Sequence, residues 1–175
     1  VALCHHDTPS GTVNPAREIG AAVRAAGKLL IVDAVSSFGG MEVLPEAIAA
    51  DIFVTGPNKC LGCPPGLSLL HVSAAAWRKM EANPDAPRAS MLSILDWRRA
   101  HEASQPFPFT PSVSEINALD AALDLYLAEG DEAVWARHAR TAAACRAGIK
   151  AAGLSLWAAR EAIAAPTCTA VRLPD

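Results

Sequence analysis

The chain has 175 residues, of which 51% are hydrophobic and 19% are charged, and its formal net charge at pH 7 is −3. This composition predicts a compact globular protein with a well-buried core and excludes a disordered chain. The sequence has neither a basic stripe for nucleic acid nor an apolar run of the roughly 20 residues that cross a bilayer. We therefore expect a cytoplasmic protein without a nucleic-acid or membrane partner, whose five cysteines are reduced thiols.

The first elements in chain order are an apolar strand at residues 1–4 and a helix over residues 15–26. Asn14 is placed to cap this helix, Pro15 stands at its first position and Gly27 follows its end. These signals at both ends predict the helix independently of its apolar spacing.

Three apolar runs follow, at residues 29–32, 52–54 and 67–72. Because they are continuous rather than alternating, they predict strands covered on both faces of a mostly parallel sheet. The last run is expected to add as an antiparallel or edge strand. Strands and helices in this order predict an α/β fold.

The second half of the chain is predicted to be mostly helical. Ser73 caps a short helix through Met80, and a Pro-rich irregular stretch covers residues 83–111. Ser112 and Glu115 have the spacing of a capping box that opens a helix ending near Gly130. An Ala-rich helix over residues 131–152 follows, and strands at 154–157 and 169–171 are expected to open a smaller second unit.

One lysine stands in an unusual setting. Lys59 directly follows the predicted strand 52–54, and Asp33 ends the preceding strand. Ligands bind at the carboxyl ends of strands in an open parallel sheet, so these two residues and the turn 5–11 are expected to converge. Lysine can hold an aldehyde as an imine, and a carboxylate can keep a pyridine nitrogen protonated. Taken alone, a surface-loop lysine and a turn-capping aspartate remain the alternatives.

The motifs around these residues resemble the class V pyridoxal-phosphate-dependent aminotransferases of fold type I. The motifs are HHDTPSG at 5–11, VDAVSSFGG at 32–40 and GPNKCLGCPPG at 56–66. The resemblance covers essentially the whole chain and implies a mostly parallel sheet flanked by helices. It assigns residues 1–130 to part of the large cofactor-binding domain, and residues 131–175 to a linking helix and the start of a small α/β C-terminal domain. Because the sequence begins without Met inside a strand, we expect a fragment of a longer enzyme.

The resemblance implies roles for four residues around the cofactor ring. Lys59 would bond covalently to pyridoxal 5′-phosphate, and it would then carry protons as a general acid-base. Asp33 would pair with the pyridine nitrogen, and Val35 would pack under the ring. Thr8 would form a hydrogen bond near the ring hydroxyl or with Asp33.

Four further cofactor-binding residues are implied by the resemblance alone. They include Asn58 and Phe109, and Thr110 matches a threonine that reaches the cofactor phosphate of a neighbouring subunit. A homodimer or higher homo-oligomer is therefore implied. Phe107 stands where alanine-glyoxylate relatives have a tyrosine that helps to hold the phosphate, and phenylalanine has no such donor. The alternative is that the phenylalanine ring simply fills the same space.

Within the class, residues 87–93 and 107–112 resemble most closely the members that move an amino group from pyridoxamine to pyruvate, giving pyridoxal and alanine. In these members pyridoxal or pyridoxamine occupies the cofactor site as a substrate, in keeping with Phe107. One alternative is an alanine-glyoxylate or serine-pyruvate aminotransferase with bound pyridoxal phosphate, acting on an amino acid and a 2-oxo acid. Another is an inactive truncated remnant of such an enzyme. Cys60 and Cys63 have metal-ligand spacing but lack a second pair, so no metal site is expected.

Overall fold

The structure is a computed structural model that describes residues 1–174. Its main sheet has four strands, in the order β1, β4, β5, β6. The strands are β1 (Ala2–Cys4), β4 (Ile31–Asp33), β5 (Ile52–Thr55) and β6 (Leu69–Val72). The first three are parallel and β6 joins antiparallel at the edge. The predicted α/β fold with a mostly parallel sheet and an antiparallel edge strand is confirmed.

Two small ribbons lie outside this sheet. The strands β2 (His6–Asp7) and β3 (Thr12–Val13) form an antiparallel pair directly after β1. Near the end of the chain, β7 (Ser155–Leu156) pairs with β8 (Val171–Arg172), with a short 3-10 helix at Glu161–Ile163 between them. The predicted strands near residues 154–157 and 169–171 are thus present, the second one shifted by a residue or two.

Five α-helices complete the described chain. They are α1 (Ala16–Ala25), α2 (Ala74–Glu81), α3 (Ile94–Glu102), α4 (Val113–Glu129) and α5 (Asp131–Ala151). The predictions for α1, α2, α4 and α5 are confirmed to within two residues. None of the helices in residues 1–174 combines the length and the apolar character needed to cross a membrane.

Three details of the helix predictions were wrong. The side chain of Asn14 does not cap α1, because its amide nitrogen donates to the Cys4 carbonyl 2.8 Å away. The stretch 83–111 is not irregular throughout, because it contains α3, whose first turn is capped by the Ser93 side chain accepting from the Asp96 N–H. At α4, the Ser112 hydroxyl donates to the Glu115 carboxylate and makes no bond to the helix backbone.

The core lies on one face of the sheet. Leu30, Val32, Ala34 and Phe53 are buried there together with Val23 of α1. The opposite face is partly open in the described chain, where Ile31 is 42% exposed and an apolar groove of about 700 Å³ lies between Ile31 and Ile52 of the sheet and the α2 residue Met80. The prediction that the strands are covered on both faces holds for the core face, whereas Ile31 of β4 is only partly covered on the second face within residues 1–174.

Candidate active site

The parallel register brings the ends of three strands to one edge of the sheet. Asp33 lies between Cys4 and Val54 in neighbouring strands. The ladder continues past the strand ends, because the His5 N–H donates to the Asp33 carbonyl and the Ala34 N–H to the Val54 carbonyl, both at 2.8 Å. The turns that follow β1, β4 and β5 are therefore neighbours.

Asp33 is exposed at this edge, and its carboxylate is oriented by its own backbone. The Val35 N–H donates to Asp33 Oδ1 at 2.9 Å, an Asx-type turn that holds the carboxylate in place. Within residues 1–174, no hydrogen bond is formed by Oδ2. Burial and the negative charge of Asp33 raise the pKa of the neighbouring Cys4 thiol, which keeps that thiol protonated.

Lys59 lies on a tight loop after β5 and is exposed. The loop is closed by two backbone bonds, from the Gly62 N–H to the Lys59 carbonyl and from the Cys63 N–H to the carbonyl of the buried Pro57, both at 3.0 Å. The Asn58 side chain folds back over Gly56, where a methyl group would lie 2.7 Å from Asn58 Oδ1.

The Lys59 loop packs directly against the turn that follows Asp33. A methyl group on Gly40 would lie 2.7 Å from Cys60 Sγ, and one on Gly39 would lie 3.2 Å from Leu61 Cδ2. A side chain at either glycine would press on the Lys59 loop, so the two glycines of the VDAVSSFGG motif allow the Asp33 turn and the Lys59 loop to pack closely. Burial raises the pKa of the Cys60 thiol, and the positive charge of Lys59 offsets only part of this rise.

Thr8 joins the same edge from the β2–β3 turn. Its hydroxyl oxygen lies 2.7 Å from the Oγ of Ser36, which directly follows Val35 in the turn that begins with Asp33. In the β2–β3 turn, the Ser10 hydroxyl and backbone N–H donate hydrogen bonds to the Asp7 carboxylate. These bonds lower the pKa of the Asp7 carboxyl. Thr8, Asp33, Val35, Asn58 and Lys59 are thus on adjoining segments at one edge of the sheet, and the turn 5–11, Asp33 and Lys59 converge as the sequence predicted.

Phe107, Phe109 and Thr110 lie elsewhere, on an exposed segment between α3 and α4. The Phe107 ring packs at 5.3 Å from the Trp97 ring of the same chain. Among the described residues, no hydrogen bond connects this segment to the Asp33 turn or the Lys59 loop. The structure does not bring these three residues to the edge that carries Lys59.

The side chain of His5 is buried against the turn that follows Asp33. Its Nδ1 lies 2.9 Å from the hydroxyl of the fully buried Ser37, and burial lowers the pKa of its imidazole. Sequence reasoning did not single out Ser36 and Thr167. The Thr167 hydroxyl reaches the Ser36 carbonyl at 3.0 Å from 131 positions away, a separation for which the sequence carries no local signal.

Comparison with known proteins identifies the family of this chain. The sequence profile described as Aminotransferase class-V matches residues 1–174. The chain is 70% identical over all 175 residues to pyridoxamine-pyruvate transaminase of Mesorhizobium japonicum, of which it covers 44%. The chain thus spans less than half the length of this relative.

Two solved structures show the same fold. The crystal structure of pyridoxamine-pyruvate aminotransferase from Mesorhizobium loti superposes with a TM-score of 0.97 at 70% identity, over 100% of this chain and 45% of the other. That of alanine-glyoxylate aminotransferase from Nostoc sp. gives 0.93 at 29% identity, over 99% of this chain and 46% of the other. The profile match agrees with the fold of these two structures. The chain belongs to the class V aminotransferase family.

Proposed function

We propose that this protein is a transaminase that moves an amino group from pyridoxamine to pyruvate, giving pyridoxal and alanine. The observation that carries the proposal is the 70% identity to the Mesorhizobium enzyme over the whole chain. The adjoining positions of Asp33, Thr8 and Lys59 at one sheet edge support it.

The residues at this edge fit a pyridoxal-type ring. Asp33 offers a carboxylate with Oδ1 fixed by the Val35 N–H, which leaves Oδ2 for a ring nitrogen. Lys59 offers an exposed primary amine on the adjacent loop, and Thr8 a hydroxyl on the next turn. When bound, the ring supplies an aldehyde to the amine and a pyridine nitrogen that withdraws electrons when it is protonated.

Each residue has a task in the proposed reaction. Asp33 Oδ2 holds the proton on the ring nitrogen, because an adjacent negative charge favours the protonated form. Lys59 Nζ would hold the ring through its aldehyde group, and as a free amine beside the ring it would take up and return a proton as a general acid-base. Val35 supports one face of the ring, and Thr8 orients its hydroxyl. Asn58 shapes the loop beneath Lys59.

The second candidate is an alanine-glyoxylate or serine-pyruvate aminotransferase that keeps pyridoxal phosphate bound. The similarity to the Nostoc structure favours it, at the lower identity of 29%. The two candidates differ in the phosphate. We propose that Phe107, Phe109 and Thr110 contribute to the cofactor site of a neighbouring subunit, and that Phe107 disfavours the phosphorylated form because its ring lacks a hydroxyl.

We further propose a cytoplasmic homodimer or higher homo-oligomer that acts on small molecules, without nucleic-acid or membrane partners. The exposed apolar residues of α4 support an oligomer: Val113, Ile116, Leu125 and Leu127 are between 45% and 76% exposed, and no residue of this described helix is buried. Light scattering of the protein as it elutes from a size-exclusion column would give the mass of the oligomer. A monomer at micromolar concentration would contradict this part.

We also propose a division of the chain into two units. Residues 1–130 would be part of the large cofactor-binding domain, and residues 131–175 the linking helix and start of the small domain. The pairing of β7 with β8 and the packing of α5 on β7 support the second unit.

The test is an absorbance titration of the purified protein with pyridoxal and with pyridoxal phosphate. We expect a Lys59-dependent band near the visible edge that is lost in Lys59→Ala and retained in Lys28→Ala, a matched change of an exposed lysine. Formation of alanine from pyridoxamine and pyruvate would establish the reaction. Tighter binding of the phosphorylated ligand, with activity on alanine and glyoxylate, would favour the second candidate. The absence of a Lys59-dependent band with both ligands would contradict both candidates.

A further inference from the structure

The carbonyl oxygen of Ser36 is the meeting point of three distant segments. It accepts a hydrogen bond from Thr167 Oγ1 at 3.0 Å and lies 2.9 Å from His6 Nδ1. Thr167 Oγ1 and His6 Nδ1 are themselves 3.0 Å apart. A carbonyl can only accept, so the proton of His6 lies on Nδ1, where both neighbouring oxygens share it.

His6 is buried at this junction. His6 is 2% exposed, and within residues 1–174 its Nε2 has no hydrogen-bond partner. All polar contacts of the ring therefore pass through Nδ1, to Ser36 and Thr167. A buried ring held by a single nitrogen is sensitive to the loss of that partner, because an unpaired buried polar group is costly.

The side chain of Ser36 connects this junction to the proposed ring site. Ser36 Oγ shares a hydrogen bond with Thr8, and the turn in which it stands begins with Asp33. Thr167 also touches the same turn through packing, since a methyl group on Gly40 would lie 2.4 Å from Thr167 Cγ2 and 2.7 Å from Cys60 Sγ. Thr167 thus meets the Asp33 turn at the point where that turn meets the Lys59 loop.

The segment that carries Thr167 is firmly seated. The N–H of the fully buried Ala165 donates to the Gly11 carbonyl at 2.8 Å. Cys168 Sγ lies 3.5 Å from the Thr8 carbonyl, which it can reach as a donor. A methyl group on Gly11, whose φ is +64°, would lie 2.9 Å from the Ala170 nitrogen. The segment is therefore held against the β2–β3 turn on both sides of Thr167.

We propose that Thr167 and His6 are positioning residues, which hold the Ser36 turn so that Asp33 and Thr8 face the pyridoxal-type ring. This inference rests on the proposed function, and it adds the C-terminal segment to the machinery of that site. The Thr167 hydroxyl and His6 Nδ1 fix the Ser36 carbonyl, and the Ser36 hydroxyl in turn holds Thr8.

The test compares Thr167→Val with Thr167→Ser in the purified protein. Valine keeps the methyl group that packs at Gly40 and removes the hydroxyl, whereas serine keeps the hydroxyl. Thr141→Val is the matched control, because Thr141 Oγ1 also donates to a backbone carbonyl, that of Arg137 at 2.9 Å on α5. The readouts are the pyridoxal dissociation constant from the Lys59-dependent band, and amide hydrogen exchange of Ser37 and Phe38 without ligand.

We expect Thr167→Val to weaken pyridoxal binding by about three- to tenfold, the effect of one hydrogen bond, and to speed exchange at Ser37 and Phe38 by a similar factor. Thr167→Ser and Thr141→Val should stay within about twofold of the parent for the same reason. His6→Asn places an amide N–H near the position of Nδ1 and should bind pyridoxal better than His6→Leu.

Two results would overturn the inference, and they are distinguishable. If the parent shows its Lys59-dependent band, and Thr167→Val binds pyridoxal and exchanges amides as the parent does, the positioning role is wrong while the proposed function stands. If the parent shows no Lys59-dependent band, the proposed function fails and the positioning role fails with it.

Discussion

The hydroxyl oxygens of Thr8 and Ser36 lie 2.7 Å apart, so that one hydrogen bond joins the β2–β3 turn to the turn that follows Asp33. The two residues are 28 positions apart in the chain. Parallel pairing of β1 with β4 brings them together, because it places the ends of the two strands side by side. The bond connects two segments that we assign to the same ring site.

The coupling between these two hydroxyls is measurable. Thr8→Val and Ser36→Ala should each destabilise the fold, and the double variant should lose about 1 kcal/mol less than their sum, because the second change removes a partner already lost. Urea unfolding of the four proteins gives the coupling free energy. Ser36→Ala with the remote Thr141→Val should be additive, and additivity of the Thr8 pair would show that the hydrogen bond contributes nothing.

Two glycine substitutions in helices should have opposite signs. A methyl group on Gly20 of α1 would lie 1.9 Å from the Ile48 carbonyl oxygen, so Gly20→Ala should cost about 2 kcal/mol or more. Gly148 of α5 has nothing within 4 Å, so Gly148→Ala should stabilise by about 0.5–1 kcal/mol through helix propensity. Thermal unfolding measures both. Equal effects of the two changes would contradict the packing of α1 on the 45–50 turn.

Stability should fall in mild acid because of His5. Burial and the neighbouring His6 lower the pKa of the His5 imidazole below its ordinary value of 6.5. The unfolded chain therefore binds a proton at a pH where the folded chain does not, so this contribution is present above about pH 6.5 and is lost as the pH falls through the folded pKa. Urea midpoints at pH 7.5 and pH 5.5 should differ less in His5→Asn than in the parent. An unchanged difference would assign the acid sensitivity to other groups.

The hydroxyl of Tyr126 should lose its proton at a higher pH than that of an exposed tyrosine. Burial and the Asp131 carboxylate raise the pKa of its hydroxyl to about 12. Because the folded pKa lies above the ordinary value of 10, this contribution to stability is present below about pH 10 and is lost as the pH rises through 12. Ultraviolet difference spectra follow the phenolate, and Tyr126→Phe identifies its signal. Asp131→Asn should move the midpoint downward, and a midpoint at 10 in the parent would contradict the described burial.

Phe107→Tyr should shift the ligand preference. The added hydroxyl supplies the donor that alanine-glyoxylate relatives are expected to use, so pyridoxal phosphate should bind about three- to tenfold more tightly while pyridoxal binding stays nearly constant. Trp157→Tyr is the control, since this ring is 56% exposed and lies outside the proposed cofactor site. Equal effects on the two ligands would show that Phe107 is remote from the phosphate.

The local signals in the sequence were sufficient for most elements. Caps and apolar spacing predicted α1, α2, α4 and α5, because the hydrogen bonds of a helix connect near neighbours. The helix α3 was not predicted, because it lies in a Pro-rich stretch. Ser93 caps it nevertheless, and an ion pair of 2.9 Å between Arg88 and Asp96 supports its first turn. Continuous apolar strands predicted two covered faces, and in the described chain Ile31 is exposed on one of them. A strand's composition does not say which part of the molecule covers it.

The positions of Asp33 and Lys59 at strand ends could be read from the sequence by itself, since apolar runs and the residues that end them are local patterns. Their convergence followed from the predicted parallel sheet, and the register of β4 and β5 agrees with it. The contact of Thr167 with Ser36 and His6 was decided by the tertiary structure alone. Hydrogen bonds between segments separated by 131 positions depend on how the whole chain packs, and no local pattern of residues encodes them.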